Sequence, residues 1–163
     1  NILIMNIFYL DKCPIRSANY QYNKHIVKMV LESAQMLCTA HHQHNNGDNV
    51  PYKPAYVNHP STIWCRQNSS QYKWLYKHFI ALGVQYNKRY GKIHTAIQKC
   101  AKPLKSLPPN IANTKFIQPP QCMPDQYKHK CSIQAYWNYY IAEKNIVASK
   151  KESVYTKKPQ NDL

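Results

Sequence analysis

The chain has 163 residues, of which 22 are Lys or Arg and seven are Asp or Glu, giving a formal net charge of +15. That length points to one domain. A hydrophobic content of 44% with 12% aromatics excludes wholesale disorder, and no apolar run approaches the roughly 18 residues that a bilayer span needs. A basic domain of this kind is expected to meet polyanions, nucleic acid before acidic membranes.

The predicted fold class is mainly α. It is a single compact helical bundle over 1–150 with long proline-rich loops and little or no sheet, followed by a basic polar tail over 151–163. Ile7–Leu10 is short and apolar, a strand or an extended lead-in. Pro14 is expected to break the chain and Ser17 to cap a helix running from Ala18 to about His41. Its apolar stripe is Ile26, Val27, Val30, Leu31, Ala34, Leu37 and Cys38, with Lys24, His25, Lys28, Glu32 and Gln35 on other faces. The Asn-Asn-Gly-Asp stretch at 45–48 ends it.

Asn58-His59-Pro60 reads as a helix entrance with proline in the first turn, leading into a short helix with Ile63 and Trp64. Ser69 or Ser70 is expected to cap a longer helix with Trp74, Leu75, Phe79 and Leu82 as its core and Gly91 near its end. A third block covers about 92–105, and the proline-rich stretch 103–124 is extended and wraps the surface. A last helix runs from Ser132 to about Ser149, and the residues beyond Lys150 are expected to fray.

Acids are scarce enough to be informative. A carboxylate set against a phosphate-binding face weakens binding, so each one kept among lysines invites a question about its use. Glu32 is the only acid between Asp11 and Asp48, and it follows Lys24 and Lys28 at steps of four on one helix. The plain alternative is a surface Lys–Glu pair worth a few tenths of a kcal/mol. The chemical alternative is a carboxylate held among cations, able to stabilise positive charge on a sugar or to pass a proton to a leaving base.

Cys38 with His41, His42 and His44 suggests zinc, but no second ligand pair stands at finger spacing, so no metal is expected. Six evenly spread cysteines without a CxxC pair favour reduced thiols. The opening ten residues lack the basic flank and small-residue cleavage site of a signal peptide. An intracellular, reducing setting follows as the expectation. Tyr and Trp interleave with Lys, as in Tyr72-Lys73-Trp74 and Tyr136-Trp137-Asn138-Tyr139-Tyr140. Such rings stack on bases or fill a core, and for Trp74 and Trp137 the core is expected. Lys128, Lys130 and Lys144, with the lysines beyond them, form a basic C-terminal region suited to phosphate. No Gly-rich phosphate loop, G-x-S-x-G or H-E-x-x-H occurs, and carboxylates do not cluster for two-metal chemistry, so no cofactor is expected.

Five segments resemble the corresponding segments of a group of phage and viral proteins. They are Met5-Asn6-Ile7-Phe8, the block from Asn23 to Leu37, Asn58-His59-Pro60, Met123-Pro124-Asp125-Gln126-Tyr127, and Tyr136-Trp137-Asn138-Tyr139-Tyr140. That group in turn resembles the pyrimidine-dimer DNA glycosylase (endonuclease V type) family, best through the Glu-bearing first helix and Asn-His-Pro. The likeness covers most of positions 5–145.

It implies a small helical enzyme that bends double-stranded DNA and acts on ultraviolet-damaged pyrimidines. In that family an N-terminal α-amine attacks the sugar C1′ to form an imine, a helix glutamate assists, and β-elimination nicks the strand. Carried over, Glu32 is the glutamate. Asn6 is the residue exposed if Met5 is removed. Beside it, Lys24, His25 and Lys28 are expected to hold phosphates near the lesion, and His59 to contact nucleic acid. With Asn1–Ile4 still attached, either Lys24 or Lys28 has to supply the amine or activity is absent. The alternative is a non-catalytic basic protein of a nucleoprotein assembly, such as a virion or a ribosome-like particle.

Overall fold

The computed structural model describes the backbone of residues 5–149 and the side chains of residues 5–142. Among these are six α-helices and no strand: α1 (Pro14–Asn19), α2 (Asn23–Gln43), α3 (Pro60–Arg66), α4 (Ser69–Tyr90), α5 (Thr95–Cys100) and α6 (Ser132–Ser149). The expected mainly α bundle is present. The predicted basic tail lies outside the described residues.

Helix α2 is central, packed by α3, α4 and α5, while α1 lies on α4. Of its predicted stripe, Ile26, Val30, Ala34, Leu37 and Cys38 are buried, but Val27 and Leu31 are exposed. His25 and Glu32, expected on outer faces, are buried instead. The cause is the segment Met5–Leu10, which is buried along its whole length and covers the side of α2 that the stripe leaves polar.

This segment is an extended lead-in rather than a strand. With no partner strand, side chains satisfy its backbone groups. Met5 N donates to Glu32 Oε1 at 2.7 Å, Ile7 N to Asn6 Oδ1 at 2.8 Å, and Leu10 N to Ser17 Oγ at 3.0 Å. Ser17 Oγ in turn donates to the Phe8 carbonyl, and Trp137 Nε1 donates to that of Leu10.

The predicted single helix from Ala18 is in fact two, with a break at residues 20–22. No Gly or Pro marks it. Arg89 of α4 makes it possible by donating to the Asn19 and Gln21 carbonyls and to Asn23 Oδ1. The Tyr22 ring, buried at the break, stacks on Tyr140 with centroids 4.4 Å apart. Pro14 starts α1 instead of breaking the chain, at the first-turn position where its missing N–H costs nothing. Ser17 lies inside α1 and caps nothing.

Pro60 opens α3 as expected, and His59 caps it through Nδ1 accepting from Ser61 N. Asn68, not Ser69 or Ser70, caps α4, its Oδ1 accepting from Gln71 N. Gly91 ends α4 in the left-handed conformation, φ 71°, that suits glycine. The block 92–105 contains only the short α5, capped by His94, and a 3-10 turn at Pro103–Lys105.

The proline-rich stretch wraps the helices. Ser69 N and Trp64 Nε1 donate to the carbonyls of Ala112 and Ile117, and Ser132 Oγ to that of Pro119. Trp74 and Trp137 are core residues, as expected. Each of the three tryptophans ties down an irregular segment: Trp64 the wrap, Trp74 the Lys12 carbonyl, and Trp137 that of Leu10.

Candidate functional site

Glu32 lies two and a half turns into α2, on the side covered by the N-terminal segment, and is 7% exposed. Its Oε1 accepts from the backbone nitrogen of Met5, and Oε2 has no hydrogen-bond partner. Burial raises the carboxyl pKa, opposed by the Met5 N–H and by the positive charge of Lys28. A carboxyl in such a site is a better proton donor and acceptor near neutral pH than one in water. This is no surface Lys–Glu pair.

Next to it opens a cleft of about 540 Å³, lined by Val27, Lys28, Leu31, Glu32, Gln35, Tyr56 and His94. Val27, Leu31 and Tyr56 present exposed apolar area there, so the walls are greasy with a few polar groups. Tyr56 is held at φ 46°, in the left-handed region that a bulky residue seldom occupies. His94 Nε2 faces the Val27 carbonyl at 3.2 Å while Nδ1 caps α5, and burial lowers its pKa. A smaller cavity of about 130 Å³, lined by Phe8, Lys24, His25, Lys28 and Met29, continues along α2. Lys28 is common to both.

The structure brings together Glu32, Lys24 and Lys28 at these cavities, but not all the predicted residues. The nitrogen facing Glu32 belongs to Met5 and not to Asn6. Asn6 is buried, with Oδ1 on Ile7 N and the Tyr136 hydroxyl, and Nδ2 on the Cys122 carbonyl. Its side chain anchors the wrap.

His25 is a core residue, stacked on Phe8 at 4.2 Å with Nδ1 2.6 Å from the Tyr140 hydroxyl. Burial, helped by Lys24 and Lys28, pushes its pKa down to about 3, so it offers phosphate no positive charge at neutral pH. His59 is committed to capping α3, and burial lowers its pKa. One link joins it to the N-terminal segment: Ser61 Oγ is 3.5 Å from Cys122 Sγ, and the Cys122 carbonyl holds Asn6.

Lys128 and Lys130 are exposed on the loop before α6, Lys128 paired with Asp125 at 2.9 Å. The Lys144 side chain lies outside the described ones. Cys38 and His41 point inward, and His42 meets the Tyr52 carbonyl. Among the described residues no cluster of three His, Cys, Asp or Glu side chains could hold a metal ion, and all six cysteines are free thiols.

Most of the quoted aromatic runs are core as well, because Tyr72, Tyr136, Tyr139 and Tyr140 are buried. The sequence left Tyr56, Gln35 and His94 unmarked as site residues. Tyr56 and His94 reach the cleft through loop geometry and helix packing, which have no local signature, whereas Gln35 stands one turn after Glu32 on α2. Protein-family models, curated proteins and solved structures give no significant match to this chain.

Proposed function

We propose that the protein is a DNA glycosylase with associated lyase activity on damaged pyrimidines, working through an amine–sugar imine with Glu32 as its proton-transfer group. The observation that carries this reading is the 2.7 Å contact between the buried Glu32 carboxyl and the Met5 nitrogen. In the 163-residue chain that nitrogen is an amide and no nucleophile. In a chain whose first residue is Met5 it is a primary amine, already placed against a carboxyl that can take its proton. The left-handed φ of 53° at Met5, a cost for a non-glycine residue, has no meaning once nothing precedes it.

The chemistry balances on these groups. The amine nitrogen bonds to C1′, and the glycosidic bond breaks with its electron pair leaving on the base, which takes up a proton. Loss of a proton from nitrogen and opening of the C1′–O4′ bond give the imine. Removal of a C2′ proton then expels the 3′ phosphate by β-elimination, and water releases the amine. Glu32 carries the protons between these positions. Lys24 and Lys28 beside the cleft hold the flanking phosphates.

Borohydride trapping on abasic and dimer-containing duplexes tests this. The chain beginning at Met5 is expected to form a covalent adduct, and Glu32→Gln to slow it by about 10²–10⁴-fold. The 163-residue chain is expected to form none. An adduct from it that disappears in Lys28→Ala moves the nucleophile to Lys28. No adduct from either chain overturns the proposal in favour of a non-catalytic nucleic-acid-binding protein.

A further inference from the structure

Helices α1 and α4 leave an apolar groove of about 370 Å³ between them, on which the proposed chemistry makes no call. Ile15, Tyr76, Ile80, Ala81 and Val84 form its walls, and Ile15 and Val84 are 57% and 47% exposed. The hydrogen bond from Gln85 Nε2 to Asn19 Oδ1 spans the two helices at one end. Lys77 and Lys88 stand on the rim. At the other end Tyr76 and Lys77 are shared with a second cavity of about 230 Å³, where Lys73 and Lys105 join them. An apolar trough thus runs into a mouth with three ammonium groups, and among the described residues no carboxylate lines either part.

The occupant has to supply what is missing: apolar side chains for the trough and negative charge for the mouth. Nucleic acid meets the lysines but leaves Ile15, Ile80 and Val84 uncovered. A second copy is poorly matched, because the seven acids of the chain are scattered singly through its sequence. The chain's own last 14 residues carry four lysines against two acids. We propose that this groove docks a peptide segment of a partner protein in which apolar anchors are flanked by acidic residues. Such a segment buries one or two side chains between α1 and α4 while its carboxylates pair with Lys77, Lys88 and the lysine-lined mouth.

A protein of charge +15 attracts any acidic peptide, so the test has to separate docking from charge. A fluorescein-labelled synthetic peptide with Phe and Leu set among Asp and Glu is titrated with the full chain at moderate salt and followed by anisotropy. The same peptide with Ser at both anchors is expected to bind at least about tenfold more weakly.

Val84→Lys gives the sign. It fills the trough yet adds a positive charge, so docking predicts at least about tenfold weaker binding and pure electrostatics predicts tighter binding. Ile15→Lys on the facing helix repeats the comparison from a somewhat more exposed position, and Lys77→Glu is expected to weaken binding as well. Equal binding of the anchorless peptide, or tighter binding by both lysine variants, overturns the proposal. Self-association that vanishes in Val84→Lys overturns it in favour of a second copy. None of these readouts depends on glycosylase activity.

Discussion

Glu32 could be found from the sequence because it is an acid where acids are rare, but its setting could not. A row of Lys24, Lys28 and Glu32 at steps of four describes an exposed helix face equally well. What buries the carboxyl is a segment 27 residues earlier whose backbone has no ladder to join. The consequence is measurable as stability. Burial raises the Glu32 pKa, so the folded state holds its proton to higher pH than the unfolded chain does. This contribution is complete below the unfolded pKa and is lost as pH rises through the folded one. Glu32→Gln removes it. The stability of that variant relative to the parent is therefore expected to rise with pH from the ordinary carboxylate range upward, in urea titrations at a series of pH values. A flat difference would mean that the carboxyl titrates as in water. Asn6 shows the opposite limit, since nothing in Met5-Asn6 marks its side chain as the anchor for a loop 116 residues away.

Elements with local signals were legible. His59-Pro60 placed the start of α3, Gly91 placed the end of α4, and α6 has the boundaries its periodicity suggests. The division between α1 and α2 was not, because the groups that satisfy it come from α4. Arg89 stands in for the hydrogen bonds that a continuous helix would make through residues 20–22, and periodicity does not register a guanidinium 66 to 70 residues away. Arg89→Ala leaves those acceptors without their donors and is expected to cost about 1–3 kcal/mol. Urea unfolding measures the loss, and amide exchange should quicken first around Tyr20–Tyr22. The misplaced cap of α4 is simpler: Asn68, Ser69 and Ser70 are all good cap residues, and the choice among them is made by the wrap, whose Lys115 carbonyl receives Asn68 Nδ2.

Over the whole molecule, the mainly α bundle expected from periodicity and cap residues is present, while the aromatics went mainly into packing. Three histidines, His25, His41 and His78, are buried, and burial lowers the pKa of each, which makes that core sensitive to acid. His78 hydrogen-bonds to Pro14 and Gln21, and burial drives its pKa down to about 4. His25, between Phe8 and Tyr140, falls to about 3. Both sit below the 6.5 of an ordinary histidine, so the unfolded chain takes up protons first. Their contribution to stability is expected to be full above about pH 6.5 and to be lost as pH drops through 4 and towards 3. His25 and His78 imidazole resonances that titrate near 6.5 in the folded protein would contradict this. The same core also joins the ends of the described chain. The Tyr136 hydroxyl reaches Asn6 across 130 residues, and the Trp137 indole reaches Leu10 across 127. A chain emerging from a ribosome cannot make those contacts until α6 is out, so residues 6–10 lack both partners until the chain has been made through Trp137. Until α6 docks, the segment that covers Glu32 therefore lacks two of the hydrogen bonds that hold it.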